Sequence, residues 1–197
     1  MAHIANTAFE ARITNGRFED LANIAGKYQE SATDVICSAG MLCTRASLMD
    51  CEGFSGVKNE NTWVMNAATS SATGADVIYA CNTHDVNLVT DSVSGGVYAI
   101  GTNTLGLPLP AGRIGTFTRI EFDGESVYRF GAGNIDGTIS TNTYFSIDDG
   151  LLKPEASAPK GVPYFSLRGT GKFIEGTTES ITYYDLCAEK PLYAAAS

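Results

Sequence analysis

The shortness of its apolar runs most limits how this chain of 197 residues can fold. From residue 33 onward, β-branched and aromatic residues cluster in short runs separated by turn-forming residues, and no run reaches the length of a typical helix. This pattern predicts an all-β domain over residues 31–197, a β-sandwich or a β-barrel-like fold of many short antiparallel strands. The predicted strands are residues 34–38, 41–48, 62–67, 76–81, 86–90, 96–100, 115–122, 126–130, 144–147, 164–168, 172–175 and 180–188.

Residues 1–30 differ from the rest and are predicted to form an N-terminal arm. Within residues 7–13 and 17–25, apolar positions recur at spacings of three and four, which favours one or two helical turns, and Asn15-Gly16 separates them. Such a segment cannot form a core alone, so its apolar side chains need cover from a neighbouring subunit or from its own sheet. The first alternative makes the arm a partner interface, carried by Phe9, Arg12, Ile13, Arg17, Phe18 and Leu21.

Two Asp-Gly pairs are turn signals. Asp123-Gly124 lies between two apolar runs and predicts a hairpin closed by a two-residue type I′ turn, with Ile120 opposite Val127 and Phe117 opposite Phe130. Asp149-Gly150 predicts a second turn after the run at residues 144–147.

Charge and hydropathy limit the partners. The net charge of −9 makes the average surface repulsive to phosphate, so nucleic acid is not an expected partner. No basic, apolar leader stands at the N-terminus, which predicts a protein made and kept in the cytoplasm. The uncharged stretch at residues 93–112 is interrupted by Gly and Pro, so no membrane span is expected.

A search for catalytic and metal motifs gives no candidate site. The five cysteines are odd in number and include no Cys-x-x-Cys pair, which predicts free thiols and no metal or other cofactor. His84 is expected in a turn. Gly53-Phe54-Ser55-Gly56 lacks the spacing of a nucleophile elbow. Residues 169–172, which read Gly-Thr-Gly-Lys, lack the spacing of a phosphate loop and are expected to form a β-turn. The chain is therefore not expected to be an enzyme.

Five segments carry a resemblance that covers roughly residues 75–187. They are VIYACNT at 77–83, YAIGTNTLGLPLPAG at 98–112, GTFT at 115–118, YRFGAGNI at 128–135 and GTTESITYYD at 176–185. Together they resemble small structural proteins of tailed bacteriophages that decorate or cement the capsid. The resemblance implies a β-rich protein that binds the outer face of the major capsid protein shell as a homo-oligomer, often a trimer. It also implies a place on the virion exterior after assembly in the bacterial cytoplasm.

Other functions stay open at this stage. The main alternative is a phage tail or fibre component that binds a host glycan through a β-sandwich surface. An enzyme of unknown chemistry and a host β-domain are the remaining alternatives, because active sites can be assembled from residues far apart in sequence.

Overall fold

The computed structural model describes residues 7–13, 23–51, 53–71, 76–82, 88–90, 97–99, 108–139, 143–175 and 179–191. These residues are mainly β-strands, which confirms the predicted fold class. The strands are β1 (Phe9–Ile13), β2 (Asn23–Glu30), β3 (Thr33–Asp34), β4 (Leu42–Cys51), β5 (Phe54–Ala67), β6 (Tyr79–Cys81), β7 (Leu88–Thr90), β8 (Val97–Ala99), β9 (Gly115–Arg119), β10 (Val127–Gly131), β11 (Tyr144–Asp148), β12 (Leu151–Glu155), β13 (Tyr164–Glu175) and β14 (Glu179–Glu189).

Six strands form an open antiparallel sheet, here called sheet 1, in the order β1-β10-β14-β13-β11-β12. Its longest pairing joins β13 to β14 over most of their length. The first strand in the chain thus lies at one edge of a sheet that is otherwise built from the C-terminal third.

The second sheet closes on itself. Its order is β3-β2-β5-β4-β6-β9, and β9 also pairs with β2, so β2, β5, β4, β6 and β9 form a closed ring, here called the barrel. β2 and β5 run parallel, which departs from the wholly antiparallel arrangement that the sequence predicts. β3 extends β2 as a short hairpin. Strands β7 and β8 pair only with each other among the described residues.

Two hydrophobic cores share one wall. Phe117, Met65 and Tyr28 pack inside the barrel, whereas Phe130 and Phe165 pack between the barrel and sheet 1. The shared wall includes the start of β4, at Leu42 and Cys43, and β6, where successive side chains enter opposite cores. In β6, Tyr79 and Cys81 face the barrel interior and Ala80 faces sheet 1. Burial on both faces explains why residues 77–81 form an uninterrupted apolar run.

The helical turn predicted for residues 7–13 is wrong. Phe9–Ile13 is strand β1, paired antiparallel with β10. The second helical segment, predicted for residues 17–25, lies mostly outside the described part of the chain, which resumes at residue 23. Residues 23–25 belong to strand β2, so the prediction is wrong for them. Helical spacing of apolar residues was misleading here because pairing with a distant strand overrides weak local preference.

The prediction of a hairpin at Asp123-Gly124 is also wrong, because β9 belongs to the barrel and β10 belongs to sheet 1. The intervening residues cross from one sheet to the other. The Asp123 carboxylate accepts hydrogen bonds from the backbone N–H groups of Glu125 at 2.9 Å and Ser126 at 2.7 Å, which forms an Asx-type turn. Gly124 has the expected positive φ, +81°, but within this crossing.

The turn at Asp149-Gly150 is confirmed. Both residues have positive φ, +47° and +75°, the signature of a type I′ turn, and Asp148 pairs directly with Leu151. The strand after this turn, β12, was not among the predicted strands. It is a real strand because Leu152 lies in the core opposite Ile147.

The β-turn predicted at residues 169–172 does not exist, since these residues lie within strand β13. Gly171 pairs with Tyr183 of β14, whose ring occupies the space where a side chain at Gly171 would stand. Aromatic cover of this kind stabilises a glycine within a strand. Gly171 therefore makes room for the Tyr183 ring, and neither glycine ends the strand.

Candidate binding surfaces

Of the residues predicted to form a partner interface, Phe9 is the one whose side chain the structure describes. It is 1% exposed, and its ring centroid lies 5.4 Å from that of Phe130 and 6.0 Å from that of Tyr128. The prediction that Phe9 faces a partner is wrong, because the molecule's own core covers it.

The other predicted interface residues are only partly located. Arg12 and Ile13 belong to strand β1, where Ile13 pairs with Val127 of β10. Arg17, Phe18 and Leu21 lie outside the described residues. The arm therefore contributes a strand to sheet 1, and its role toward a partner stays a prediction for those three positions.

One surface that the sequence did not predict is a two-stranded ribbon at the ends of β4 and β5. β2 pairs only with residues 62–65 of β5, so residues 54–61 lie beyond that pairing. They are bonded irregularly to β4, with Asp50 opposite Lys58 and Cys51 opposite Phe54. A salt bridge of 2.6 Å joins Lys58 to Asp50, and this hydrogen bond holds the pKa of Asp50 below its usual value.

The end of this ribbon exposes apolar side chains. Phe54 is 67% exposed and Val57 is 54% exposed, and both belong to strand β5. Exposed aromatic and aliphatic side chains on a projecting element are typical of protein interaction sites. In the sequence, Phe54 stands out only within residues 53–56, which lack the spacing of a nucleophile elbow.

A second surface is a groove of about 380 Å³ on the face of sheet 1 that points away from the core. Tyr144 of β11 lies opposite Ser166 of β13, and Tyr164 of β13 lies opposite Glu189 of β14. Their neighbours along the strands, including Phe165, point into the core. The alternation of strand side chains thus places this polar and aromatic set on one face.

A β-bulge aims Arg168 into the groove. The pairing shifts between Leu167 and Gly169, so Arg168 is an extra residue in β13. Its guanidinium donates to the Glu189 carboxylate at 2.9 Å, and the Ser166 hydroxyl donates to the same carboxylate oxygen. Burial raises the pKa of Tyr164, and the nearby Glu189 charge adds to this effect.

The same face of sheet 1 carries an arginine cluster nearer β1. Arg129 donates to both carboxylate oxygens of Asp185, at 2.8 and 2.9 Å, and approaches Glu10 at 3.4 Å. Its guanidinium carbon lies 3.6 Å from the centre of the Tyr183 ring. Arg129 has 9% side-chain exposure, so this cluster ties β1, β10 and β14 together and leaves little of the arginine accessible.

The cysteines are free thiols. Cys37, Cys43 and Cys81 pack together inside the barrel, where a hydrogen bond with Cys43 and burial raise the pKa of Cys37. Within the described ranges, no group of three His, Cys, Asp or Glu residues is placed to hold a metal ion. His3 and His84 lie outside those ranges. In the described part of the chain, no helix has the length and hydropathy needed to span a membrane.

Comparison of the chain with models of known protein families, with curated proteins and with solved structures found no match.

Proposed function

We propose that this chain is a structural protein of a tailed-bacteriophage virion that binds the outer face of the major capsid protein shell and stabilises it. The observation that carries the proposal is the ribbon of β4 and β5, which presents Phe54 and Val57 to solvent beyond the barrel. The chain segments between residues 75 and 187 that resemble capsid decoration proteins support the same function.

Charge favours the outside of the shell. The net charge of −9 would be repelled by packaged DNA at the inner wall, whereas the outer face imposes no such penalty. The proposal therefore places the protein on the virion exterior, as a homo-oligomer without a catalytic role, after assembly in the bacterial cytoplasm. A trimer would suit attachment around a threefold position of the shell.

The ribbon supplies the attachment chemistry. Burying an exposed Phe or Val against a partner contributes about 1.5 to 3 kcal/mol per side chain. Loss of both contacts should therefore weaken attachment by well over tenfold. The Lys58–Asp50 salt bridge is exposed, so it shapes the ribbon without adding much to stability.

The test is co-sedimentation with emptied, expanded capsids of the phage that encodes the chain, with host cell walls as a second target. The double variant Phe54→Ser/Val57→Ser should stay folded and lose capsid binding. The control Ile36→Ser/Ile114→Ser removes two other exposed apolar side chains, 54% and 51% exposed, and should bind as wild type does.

Two results would contradict the proposal. The first is wild-type protein that fails to sediment with capsids, and binding to cell walls instead would support a tail or fibre role. The second is capsid binding by Phe54→Ser/Val57→Ser that equals that of wild type, or an equal loss in the control variant, because attachment would then not depend specifically on the ribbon.

A further inference from the structure

The groove on the outer face of sheet 1 is separate from the ribbon and has its own chemistry. The groove has a volume of about 380 Å³ and is open to solvent. Strands β11, β13 and β14 supply its floor and one end. Its side chains therefore stand on rigid sheet, and little order has to be created when a ligand binds.

Tyr144 provides a flat apolar surface in the groove. Its ring is half-buried and packs against Tyr164, with ring centres 6.2 Å apart and planes tilted by 59°. Tyr164 is 6% exposed and thus supports the Tyr144 ring from below. The negative face of an aromatic ring attracts weakly positive C–H groups, which one face of a sugar ring presents.

The other end of the groove offers hydrogen-bonding groups in fixed positions. Arg168 and Ser166 both donate to one carboxylate oxygen of Glu189, which orients the carboxylate and the guanidinium side by side. A carboxylate accepts and a guanidinium donates, so the pair matches two neighbouring hydroxyl groups, each of which can do both.

The charge and the position of the groove exclude other ligand classes. A phosphate or a uronic acid would meet the Glu189 carboxylate on a protein of net charge −9. An extended peptide would need a free strand edge for its backbone hydrogen bonds, and at Phe165 and Ser166 in the groove β13 is paired on both sides, with β11 and with β14. A ligand with many hydroxyl groups, no charge and an apolar face satisfies the site.

We infer that this groove binds a neutral oligosaccharide, with one sugar ring stacked on Tyr144 and adjacent hydroxyl groups held by Arg168 and Glu189. This inference goes beyond attachment to a capsid and does not depend on it. A protein displayed on a particle surface would use such a site to hold the particle near a polysaccharide.

The experiment is isothermal titration of the full chain with maltohexaose, cellohexaose and chitohexaose. We expect binding of at least one of them. Tyr144→Ala should weaken it about tenfold or more, whereas Tyr144→Phe, which keeps the ring, should keep most of the affinity. Arg168→Ala should also weaken it, since the hydroxyl partners are lost.

Arg119→Ala is the matched control, because Arg119 is an exposed barrel residue that forms a comparable salt bridge, 3.0 Å from Glu121. It should bind the sugar as wild type does. No heat of binding with any of the three hexasaccharides, or equal loss in Arg119→Ala and Arg168→Ala, would overturn the inference. Thermal melting of each variant identifies any that fail to fold, and the milder Tyr144→Leu, which still removes the aromatic ring, and Arg168→Lys then replace them.

Capsid sedimentation separates this inference from the proposed function. Arg168→Ala should sediment with capsids as wild type does, while Phe54→Ser/Val57→Ser should bind the sugar normally. If the protein lacks one of the two activities, capsid binding or sugar binding, the other can still be measured by its own assay.

Discussion

At the scale of single residues, Asn134 shows how one buried side chain joins the two sheets. Its side-chain oxygen accepts hydrogen bonds from the backbone N–H groups of Ala8 at 3.0 Å and Gly131 at 3.1 Å. Its amide nitrogen donates to the carbonyl of Ala39 at 2.7 Å. Those partners flank β1, end β10 and precede β4, so the side chain links sheet 1 to the barrel.

Gly40 lies directly against Asn134, so a substitution at Gly40 tests how much this junction contributes to stability. Gly40 has a φ of +75°, and a Cβ there would lie 2.9 Å from both the Ala8 carbonyl oxygen and the Asn134 amide nitrogen. Gly40→Ala should therefore lower the free energy of unfolding by about 3 kcal/mol or more, since it combines backbone strain with disrupted buried hydrogen bonds. Urea denaturation at neutral pH measures the change.

Gly161→Ala is the control for this prediction. Gly161 has the same φ of +75° but no atom within 4 Å of an added Cβ, so it isolates the backbone cost of about 1 kcal/mol. Equal losses at the two positions would mean that the Asn134 junction adapts freely and contributes little.

At the scale of elements, β1 is the strand whose placement changes the interpretation of the arm. Phe9→Ala should cost about 3 to 5 kcal/mol, because a fully buried aromatic side chain leaves a cavity. Phe54→Ala, at an exposed position, should change stability by less than about 0.5 kcal/mol. Thermal and urea unfolding of both variants give the comparison. Similarly small losses of stability in both variants would indicate that Phe9 faces a partner and not the core.

β13 illustrates a different element-scale effect. The sequence Gly169-Thr170-Gly171 predicts a turn, yet the strand continues because the Tyr183 ring covers Gly171. The bulge just before it turns Arg168 into the groove. One irregular stretch thus supplies both the continuity of the strand and the polar end of the proposed sugar site.

At the scale of the whole molecule, the buried thiols predict the redox behaviour. Cys37, Cys43, Cys81 and Cys187 are buried, and Cys51 on the ribbon is partly exposed. A disulfide-exchange reagent should therefore label about one thiol in the native protein and all five after denaturation, since the thiolate must be accessible to react. Thermal unfolding should be the same with and without reductant. Rapid labelling of several thiols in the native protein would contradict the burial of these cysteines.

The buried tyrosines predict sensitivity to high pH. Burial raises the pKa of Tyr128 to about 12, and burial also raises the pKa of Tyr28. Above pH 10 the unfolded chain releases these protons while the native protein keeps them. The stabilisation is therefore complete below pH 10 and falls as pH rises toward 12, by up to about 1.4 kcal/mol per pH unit for each tyrosine.

Urea unfolding at pH 8, 10 and 11 measures this slope. Tyr128→Phe should be less stable at pH 8, because Tyr128 accepts a hydrogen bond from the Glu121 backbone at 2.9 Å. Its loss of stability between pH 10 and 11 should be smaller than that of wild type. An unchanged slope would show that Tyr128 does not titrate on unfolding.

Sequence patterns alone predicted the class of fold and the local features that depend on neighbouring residues. Short apolar runs predicted strands because strand preference is local, and Asp149-Gly150 predicted its turn because positive φ at two successive positions favours those residue types. Little of the candidate binding surfaces could be predicted, since the residues of the groove come from three strands far apart in the chain.

The sheet that each strand joins could be assigned only from the three-dimensional structure. Phe9 pairs with Phe130 across more than a hundred residues, and β9 and β10 separate into different sheets despite the short segment between them. Such choices depend on which faces of the strands can be buried together. At Leu42 and Cys43 of β4 and throughout β6 both faces are buried, which fixes the barrel against sheet 1. Local preferences extend over a few residues and carry no information about such partners.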